Sequence, residues 1–379
     1  MKLKEKLTRR RVCYLSLISI PLLILLNLFL KLFPNFTEQV YSRNIYKFIA
    51  TIIAWFTSII SFSLIEILIV LIPFVVAFLA GFLIKSLIQS IINKNKPKKK
   101  KPDVKRYSLN ILALLCVLLS FNFALYTLGL SFNYNRMPIS TSLNINAAPP
   151  SKEELVTAYE YIIKKANEAC VELDWNSFNE PYYNGDFTME TIRAFKVLEN
   201  RNSVFKGAKI KPKPLLASNI MHYSSIVAFF SPYTYETNYV TGYPAFSIPQ
   251  TLCHEAAHLR GFAKEDEAEY IGFLACISST DSFYRLSGYM YAYNLFGSAV
   301  RAVDRKLYDD LVNTADRRIR SEWNRYFEFT EEHKGKAKEV TNSLNDAYIK
   351  SQGVAGGVQS YDQSLLLIIG QLRADGVIS

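Results

Sequence analysis

Cysteine and histidine are scarce in this chain, and both shortages narrow what its folded part can be. Five cysteines and four histidines occur among 379 residues. Cys13 and Cys116 fall inside long apolar runs, which leaves three cysteines elsewhere, an odd number without the spacing of a disulfide framework. A disulfide scaffold is therefore not expected. The C-terminal portion of about 250 residues must depend on a hydrophobic core, for which that length is ample.

Excess basic charge is missing from most of the chain, although its formal net charge is +11. Residues 1–11 carry +5 and residues 94–106 carry +7, so everything outside these two segments carries −1. Both segments border apolar runs, so they indicate membrane topology and not a nucleic-acid-binding surface. We therefore predict that both segments are cytoplasmic, and we expect no nucleic-acid partner.

Apolar residues are concentrated before residue 131 and predict three membrane-spanning helices. The first apolar run exceeds a typical signal-peptide core and lacks a clear small-residue cleavage site, which favours a retained anchor. With a cytoplasmic N-terminus, three spans place the C-terminal portion on the outer face of the cell membrane. The spans are predicted at about residues 12–33, 61–92 and 107–130.

The anchor also contains a short apolar segment and an acidic residue within an apolar run. The apolar segment 45–58 is short and contains Lys47, so it is expected at the membrane surface or packed on other helices. Glu66 lies near the outer end of the second span. It is interpreted as a helix-start or interfacial carboxylate in preference to a relay or transport group.

The pentapeptide from His254 to His258 uses two of the four histidines and has the pattern HExxH. On a helix, residues four apart share a face, so both imidazoles can bind one zinc ion while Glu255 acts as general base. A surface helix with this pattern by chance is the alternative. The flanking residues argue against it, since Ser247, Pro249 and Gly261 are suited to the ends of a short helix, predicted at 248–260.

A catalytic zinc site needs a third protein ligand, and Glu265 is the strongest candidate. Lys264 stands where one large class of zinc peptidases has its third histidine, which disfavours that class. Glu267 is the alternative ligand, and Glu269 could orient a ligand histidine. Glu265 shares a helix face with small residues that would let two ligand helices approach closely: Ala268, Gly272 and Ala275.

The remaining sequence predicts a folded region at 151–379, joined to the anchor by an extended linker at 131–150. Ser151 and Glu154 form a capping box at the start of its first helix. Strand-forming residues at 226–240 predict a small sheet before the motif helix, and helical patterns follow it. The expected fold class is a mostly α membrane protein. Its transmembrane helices precede an α+β, zincin-like domain of the gluzincin type.

Several segments resemble the bacterial membrane family DUF3810: residues 35–46, 230–239, 248–274, 286–289 and 345–361. The resemblance implies a few N-terminal spans followed by a zincin-like domain, and it implies little about substrate. Two departures from the family pattern occur. Glu269 stands where the family usually has Asn, and residues 235–238 read Tyr-Glu-Thr-Asn where it usually has Gly-Glu-Ala-Asn.

These observations predict a membrane-anchored zinc metallopeptidase that hydrolyses peptide or protein substrates with a zinc-activated water. His254, His258 and Glu265 bind Zn²⁺, and Glu255 is the catalytic base. The oxyanion donor stays open between His222 and the tyrosines at 233–243. The alternative is a non-catalytic membrane sensor or scaffold that retains the fold. An intramembrane protease is disfavoured because the motif does not lie in an apolar span.

Overall fold

The computed structural model describes residue 11 and residues 13–92, 104–357, 359 and 363–378. Most of this part of the chain is helical, and three helices are long and apolar enough to cross a membrane, at Cys13–Leu32, Leu64–Gln89 and Leu109–Asn135. The prediction of three apolar spans is confirmed at that level. Most of the two basic segments, on which the predicted orientation depends, lies outside the described residues.

The apolar region contains four principal helices: α1 (Ser19–Leu32), α2 (Lys47–Ser58), α3 (Leu64–Ile92) and α4 (Val104–Gly129). A π-helix, Thr37–Tyr46, connects a short turn after α1 to α2. Helix α2 packs against the π-helix and against the sheet described below, whereas the sequence predicted a place at the membrane surface or on other helices. Glu66 lies in the first turn of α3, where the positive end of the helix dipole stabilises a carboxylate.

Residues 131–150 were expected to form an extended linker, but the structure differs. A 3-10 helix occupies Ser131–Asn135, a short helix occupies Ile139–Leu143, and only the end of the segment is extended. The cause is burial. Phe132 is inside the core, and the buried Arg136 forms an ion pair of 2.7 Å with the buried Glu38 of the π-helix. This segment therefore joins the anchor to the C-terminal region through fixed contacts.

The C-terminal region begins with α5 (Lys152–Val171), whose predicted capping box between Ser151 and Glu154 is present. Helix α6 (Phe187–Arg201) follows, then a three-stranded mixed sheet. Its strands are β1 (Lys213–Pro214), β2 (Ala228–Ser231) and β3 (Glu236–Tyr239). Strand β3 is central, antiparallel to β2 and parallel to β1, so β2 lies at an edge. The predicted small sheet before the motif is confirmed.

Seven helices complete the described chain: α7 (Ser247–Leu259), α8 (Glu265–Ser278), α9 (Ser282–Val303), α10 (Arg305–Val312), α11 (Arg317–Glu332), α12 (Lys336–Ser351) and α13 (Ser364–Ala374). Helices α7, α8 and α9 pack against one another in the core, and α9 also packs on α5. The sheet covers one side of α7. Residues from the anchor, including Leu30, Tyr46 and Ala50, belong to the same hydrophobic core.

Candidate metal centre

Helix α7 carries both histidines and begins at Ser247, close to the predicted start. Ser247 does not cap it as expected. Its hydroxyl donates to the Pro244 carbonyl at 2.8 Å, and Phe246 occupies the N-cap position. The C-terminal prediction is confirmed, since Gly261 has φ +83 and its N–H donates to the His258 carbonyl at 2.9 Å. This turn brings the chain back toward α8.

His254, His258 and Glu265 converge on one point. Their ligand atoms lie within 4.8 Å of one another. The two Nε2 atoms are 2.9 Å apart, and Glu265 Oε2 is 3.3 Å from each of them. Tetrahedral zinc with nitrogen and oxygen ligands at about 2.0–2.2 Å separates neighbouring ligand atoms by about 3.3–3.5 Å. Both edges to Glu265 match this separation, and the 2.9 Å edge between the two imidazole nitrogens is about 0.4 Å shorter, so the triangle is close to the size that one zinc ion requires.

The close approach of α7 and α8 depends on Gly272, as the small-residue face of α8 predicted. A Cβ at this position would lie 3.0 Å from the backbone nitrogen of His254 and 3.2 Å from the Gln250 carbonyl oxygen. Ala268 and Ala275 are fully buried on the same helix. Small side chains on this face thus bring Glu265 within reach of both imidazoles.

The two imidazoles differ in what lies behind them, since His258 is held by a hydrogen bond and His254 lies beside a carboxylate. His258 Nδ1 donates to the Phe262 carbonyl at 2.7 Å, which leaves Nε2 with the lone pair that a metal needs. His254 Nδ1 lies 3.6 Å from Glu269 Oε2, and Gln250 donates to that same carboxylate at 2.6 Å. Glu269 thus lies on the expected side of the imidazole, but the predicted hydrogen bond is not formed, and His254 Nδ1 has no hydrogen-bond partner among the described residues. Gln250 and Phe262 were not identified from the sequence, although Gln250 lies four residues before His254 on the same helix face.

The electrostatics of the cluster favour a bound cation. Burial lowers the pKa of the His254 imidazole, but the carboxylates of Glu269 and Glu265 outweigh burial and raise that pKa well above its usual value. Burial would raise the pKa of Glu265, yet the histidines lower it below its usual range. Two imidazoles and an ionised carboxylate thus share one buried pocket, in which a positive charge carried by a proton or a metal ion is stabilised.

Glu255 is not one of the three residues grouped as possible metal ligands. Its side chain is 5% exposed, and Oε2 has no hydrogen-bond partner among the described residues. Burial is the main cause that raises the pKa of this carboxyl, and the neighbouring histidines oppose it. A buried carboxylate oxygen without a hydrogen-bond partner lowers the stability of the fold, and such groups occur often at functional sites. Glu255 is therefore suited to accept a proton.

The contacts of Glu267 distinguish it from Glu265 as a candidate ligand. Glu267 Oε1 accepts the Ile139 N–H at 3.1 Å and lies 3.5 Å from Lys264 Nζ. Its carboxylate therefore anchors the segment after α4, and Lys264 neutralises it. Of the two acidic candidates, Glu265 is the one grouped with the histidines.

A cavity of about 1130 Å³ contains the three convergent residues and Glu255 in its wall. Edge strand β2 forms another part of the wall, together with Tyr233 and with aromatic residues from later helices: Tyr291, Trp323, Tyr326 and Tyr348. The charge of Glu265 contributes to the raised pKa of Tyr348, which places this tyrosine near the metal centre. No local pattern in the sequence connects Tyr348 with a motif more than eighty residues earlier.

His222 takes no part in this cavity wall, although it was considered as an oxyanion donor. Its Nε2 lies 2.7 Å from the Thr241 carbonyl, and its ring contacts Tyr243, Phe329 and His333. The ring is thus part of an aromatic cluster beside the sheet. Among the tyrosines at 233–243, Tyr233 is the one that lines the cavity.

Comparison with known proteins gives one match. The model of a family described as "Protein of unknown function (DUF3810)" matches residues 41–369, which is most of the chain. No curated protein matches the chain. No solved structure matches it either. The matched range includes α7, α8 and Tyr46, whose hydroxyl donates to the His258 carbonyl at 3.3 Å.

Proposed function

We propose that this chain, which belongs to the DUF3810 family, is a membrane-anchored zinc metallopeptidase with a zincin-like domain of the gluzincin type. The observation that carries the proposal is the triangle of His254 Nε2, His258 Nε2 and Glu265 Oε2, with edges of 2.9, 3.3 and 3.3 Å. Its size and donor set suit zinc, and three protein ligands leave a fourth position open for substrate chemistry.

His254, His258 and Glu265 would hold the zinc ion, which would supply Lewis acidity to polarise a scissile carbonyl and to lower the pKa of an attacking water. Glu255 accepts the proton of the attacking water and then delivers it to the leaving amine. Its burial and raised pKa suit both steps, since a base with a pKa nearer neutrality transfers protons in either direction. The Phe262 carbonyl orients His258, and Glu269, which accepts a hydrogen bond from Gln250, lies beside His254.

A peptide fits the surroundings of these residues. Strand β2 is at the edge of the sheet, and it lines the cavity beside His254 and Glu255. An extended polypeptide can pair with such an edge and present its backbone to the metal centre. We further propose that the N-terminus is cytoplasmic and that the catalytic region lies on the outer face, as the basic segments predict.

The proposal is tested by digestion of an unbiased peptide library with the full chain in detergent. We expect metal-dependent cleavage by the wild type and a loss of about 10²-fold or more in Glu255→Gln, since removal of a general base costs that much. Glu331→Gln, the same change at an exposed site, should retain wild-type activity. Cleavage by Glu255→Gln at the wild-type rate would contradict the assigned role, and no cleavage by zinc-loaded wild type would favour a sensor or scaffold.

A further inference from the structure

Helix α2 has two apolar faces, and only one of them is covered by protein. Ala50 and Ala54 are buried, whereas the opposite side exposes Phe48 (67%), Trp55 (61%), Phe56 (59%) and Ile59 (67%). These positions recur at helical spacing along a single stripe. Aromatic residues on such a stripe favour the boundary between lipid and water, so α2 is suited to lie in the surface of the bilayer.

The segment between strands β1 and β2 is hydrogen-bonded to the first turn of α3. Leu216 and Ile220 are exposed by 83% and 74%. The Glu66 carboxylate in the first turn of α3 accepts the N–H groups of Leu216 and Ala217 at 3.0 and 2.7 Å. Because α3 is an apolar candidate span, its first turn marks one face of the membrane. The two exposed side chains are thus positioned to enter the bilayer surface.

The metal centre is close to this same surface. The Tyr46 hydroxyl, one residue before α2, donates to the His258 carbonyl at 3.3 Å. At the end of α4, a Cβ on Gly129 would overlap the carbonyl oxygen of Pro232, in the turn between β2 and β3. The backbone of a proposed zinc ligand is therefore one side chain away from a helix with an exposed apolar face.

The cavity continues from the end of the span to the metal centre. Tyr126 and Leu130, at the end of α4, line one part of its wall, and Pro232 and Tyr233 line the next part. His254 and Glu255 line the same cavity beyond strand β2. A polypeptide that leaves the bilayer beside α4 would thus reach the metal centre within a few residues.

We propose that the substrates are polypeptides tethered in the same membrane and cut close to the bilayer surface. This inference rests on the proposed peptidase function and names its substrate class. Hydrolysis adds one water across the amide bond, so it needs no co-reactant beyond solvent. The exposed stripe of α2 and the position of the cavity both fit a substrate that arrives along the membrane.

The test uses the full chain in liposomes of phosphatidylethanolamine and phosphatidylglycerol, supplied with one randomised peptide library in three forms. The first form carries an N-terminal lipid and a linker of about 10 Gly/Ser residues, and the second carries the same lipid and a linker of about 40. The third has no lipid. The two lipidated forms are equally concentrated at the surface, so they differ only in the distance of the cleavable segment from the bilayer. Effective concentration falls roughly as the −3/2 power of linker length, which predicts about eight-fold faster cleavage of the short form.

We expect the short-linker form to be cut fastest, with cleavage sites clustered near the linker when fragments are identified by mass spectrometry. Faster or equal cleavage of the long-linker form would overturn the inference, since it would place the site well above the bilayer. Equal cleavage of the untethered form would overturn it as well, while leaving the peptidase function intact. If no form is cut by zinc-loaded protein, the proposed function itself fails and the inference fails with it.

A second readout does not require turnover. A photo-reactive phenylalanine analogue replaces Tyr233 in the Glu255→Gln variant, and the same three libraries are added to the liposomes. The inference predicts that irradiation crosslinks the short-linker form several-fold more than the long-linker form. Equal crosslinking of all three forms would contradict it.

Discussion

At the scale of single residues, the metal centre depends on groups that hold the ligands as well as on the ligands. The HExxH pattern identifies His254 and His258, but the Phe262 carbonyl orients His258 through a hydrogen bond, and Glu269 Oε2 lies 3.6 Å from His254 Nδ1. Gln250 in turn holds Glu269. Orienting groups of this kind commonly alter metal affinity by about 10–100-fold when they are removed. Metal affinity is therefore expected to depend on the groups that surround the ligands as well as on the ligands themselves.

Gly272 gives a residue-scale prediction. Gly272→Ala should destabilise the fold by about 1–3 kcal/mol, because the new Cβ meets the backbone of α7 at 3.0–3.2 Å and forces the two ligand helices apart. Thermal unfolding in detergent and zinc affinity should both report the change. Gly81→Ala is the matched control, since Gly81 also lies within a helix and a Cβ there meets nothing within 4 Å. Equal unfolding midpoints for the two variants would contradict this account of the helix contact.

At the scale of elements, α3 is fixed to the sheet by reciprocal contacts. Glu236 of β3 accepts the N–H groups of Leu64 and Ile65 at 3.1 Å and forms a buried ion pair with Lys213 of β1. In the other direction, Glu66 accepts two N–H groups from the turn after β1. This explains why Glu66 is found near the end of an apolar run, and it supports a positioning role over a relay.

Glu236→Gln should therefore lower the free energy of unfolding by about 3–5 kcal/mol, because it leaves the buried Lys213 ammonium without its counter-charge. The double variant Glu236→Gln/Lys213→Met should recover much of that loss. As a control, Glu331→Gln removes an ion pair with Lys334 in which both side chains are 65% exposed, and it should change stability by less than about 1 kcal/mol. A Glu236→Gln variant as stable as Glu331→Gln would show that the pair does not hold α3 in place.

The contact between the π-helix and the segment after α4 predicts a pH dependence. Burial alone would raise the pKa of Glu38, but the guanidinium groups of Arg136 and Arg43 lower it below the usual 4.5. A depressed folded-state pKa adds stability that is present above about pH 4.5 and is lost as the pH falls through the folded value. Wild type should thus be more stable than Glu38→Gln at pH 7, and the difference should shrink below pH 4.5. A difference in unfolding midpoint that grows on acidification would contradict this assignment.

The sequence predicted some of these elements and missed others for physical reasons. Helices α7 and α8 were predictable from local sequence features. Gly261 indicates the end of α7, and the small residues on one face of α8 indicate close packing against another helix. Residues 131–150 were predicted as extended because their composition is polar and contains prolines, whereas the partners of Phe132 and Arg136 lie almost a hundred residues earlier. Gln250 was within reach of helical spacing, but Tyr46 and Tyr348 meet the metal centre only through long-range packing.

At the scale of the whole molecule, the anchor and the C-terminal region form one packed unit. Tyr46, Arg136 and Glu267 each make hydrogen bonds that join the anchor, or the segment after it, to the ligand helices. The metal centre is consequently fixed relative to the spans and does not swing on a flexible tether. This arrangement gives the predicted orientation a direct consequence, since under the proposals above the side of the membrane that α2 faces would also be the side that supplies substrate.

That orientation is testable by cysteine labelling in intact cells. Leu344→Cys, at a position 67% exposed on α12, should react with a membrane-impermeant maleimide, whereas Lys99→Cys should react only after permeabilisation. The wild-type chain serves as the blank, because Cys170, Cys253 and Cys276 are buried and Cys13 and Cys116 lie in apolar helices. The reverse pattern of labelling would place the catalytic region in the cytoplasm and would contradict the prediction from the basic segments.

The central claim is that His254, His258 and Glu265 bind one zinc ion, and the most direct measurement is metal content of the purified full chain. Mass spectrometry of the metals should find about one zinc per wild-type chain, full retention in Glu255→Gln and Glu267→Gln, and loss in His258→Ala and Glu265→Gln. The three glutamate variants make the same chemical change within the same cluster, so they separate a ligand from its neighbours. A folded wild-type chain that binds no zinc, or a Glu265→Gln variant that keeps it as tightly as Glu267→Gln, would contradict the account.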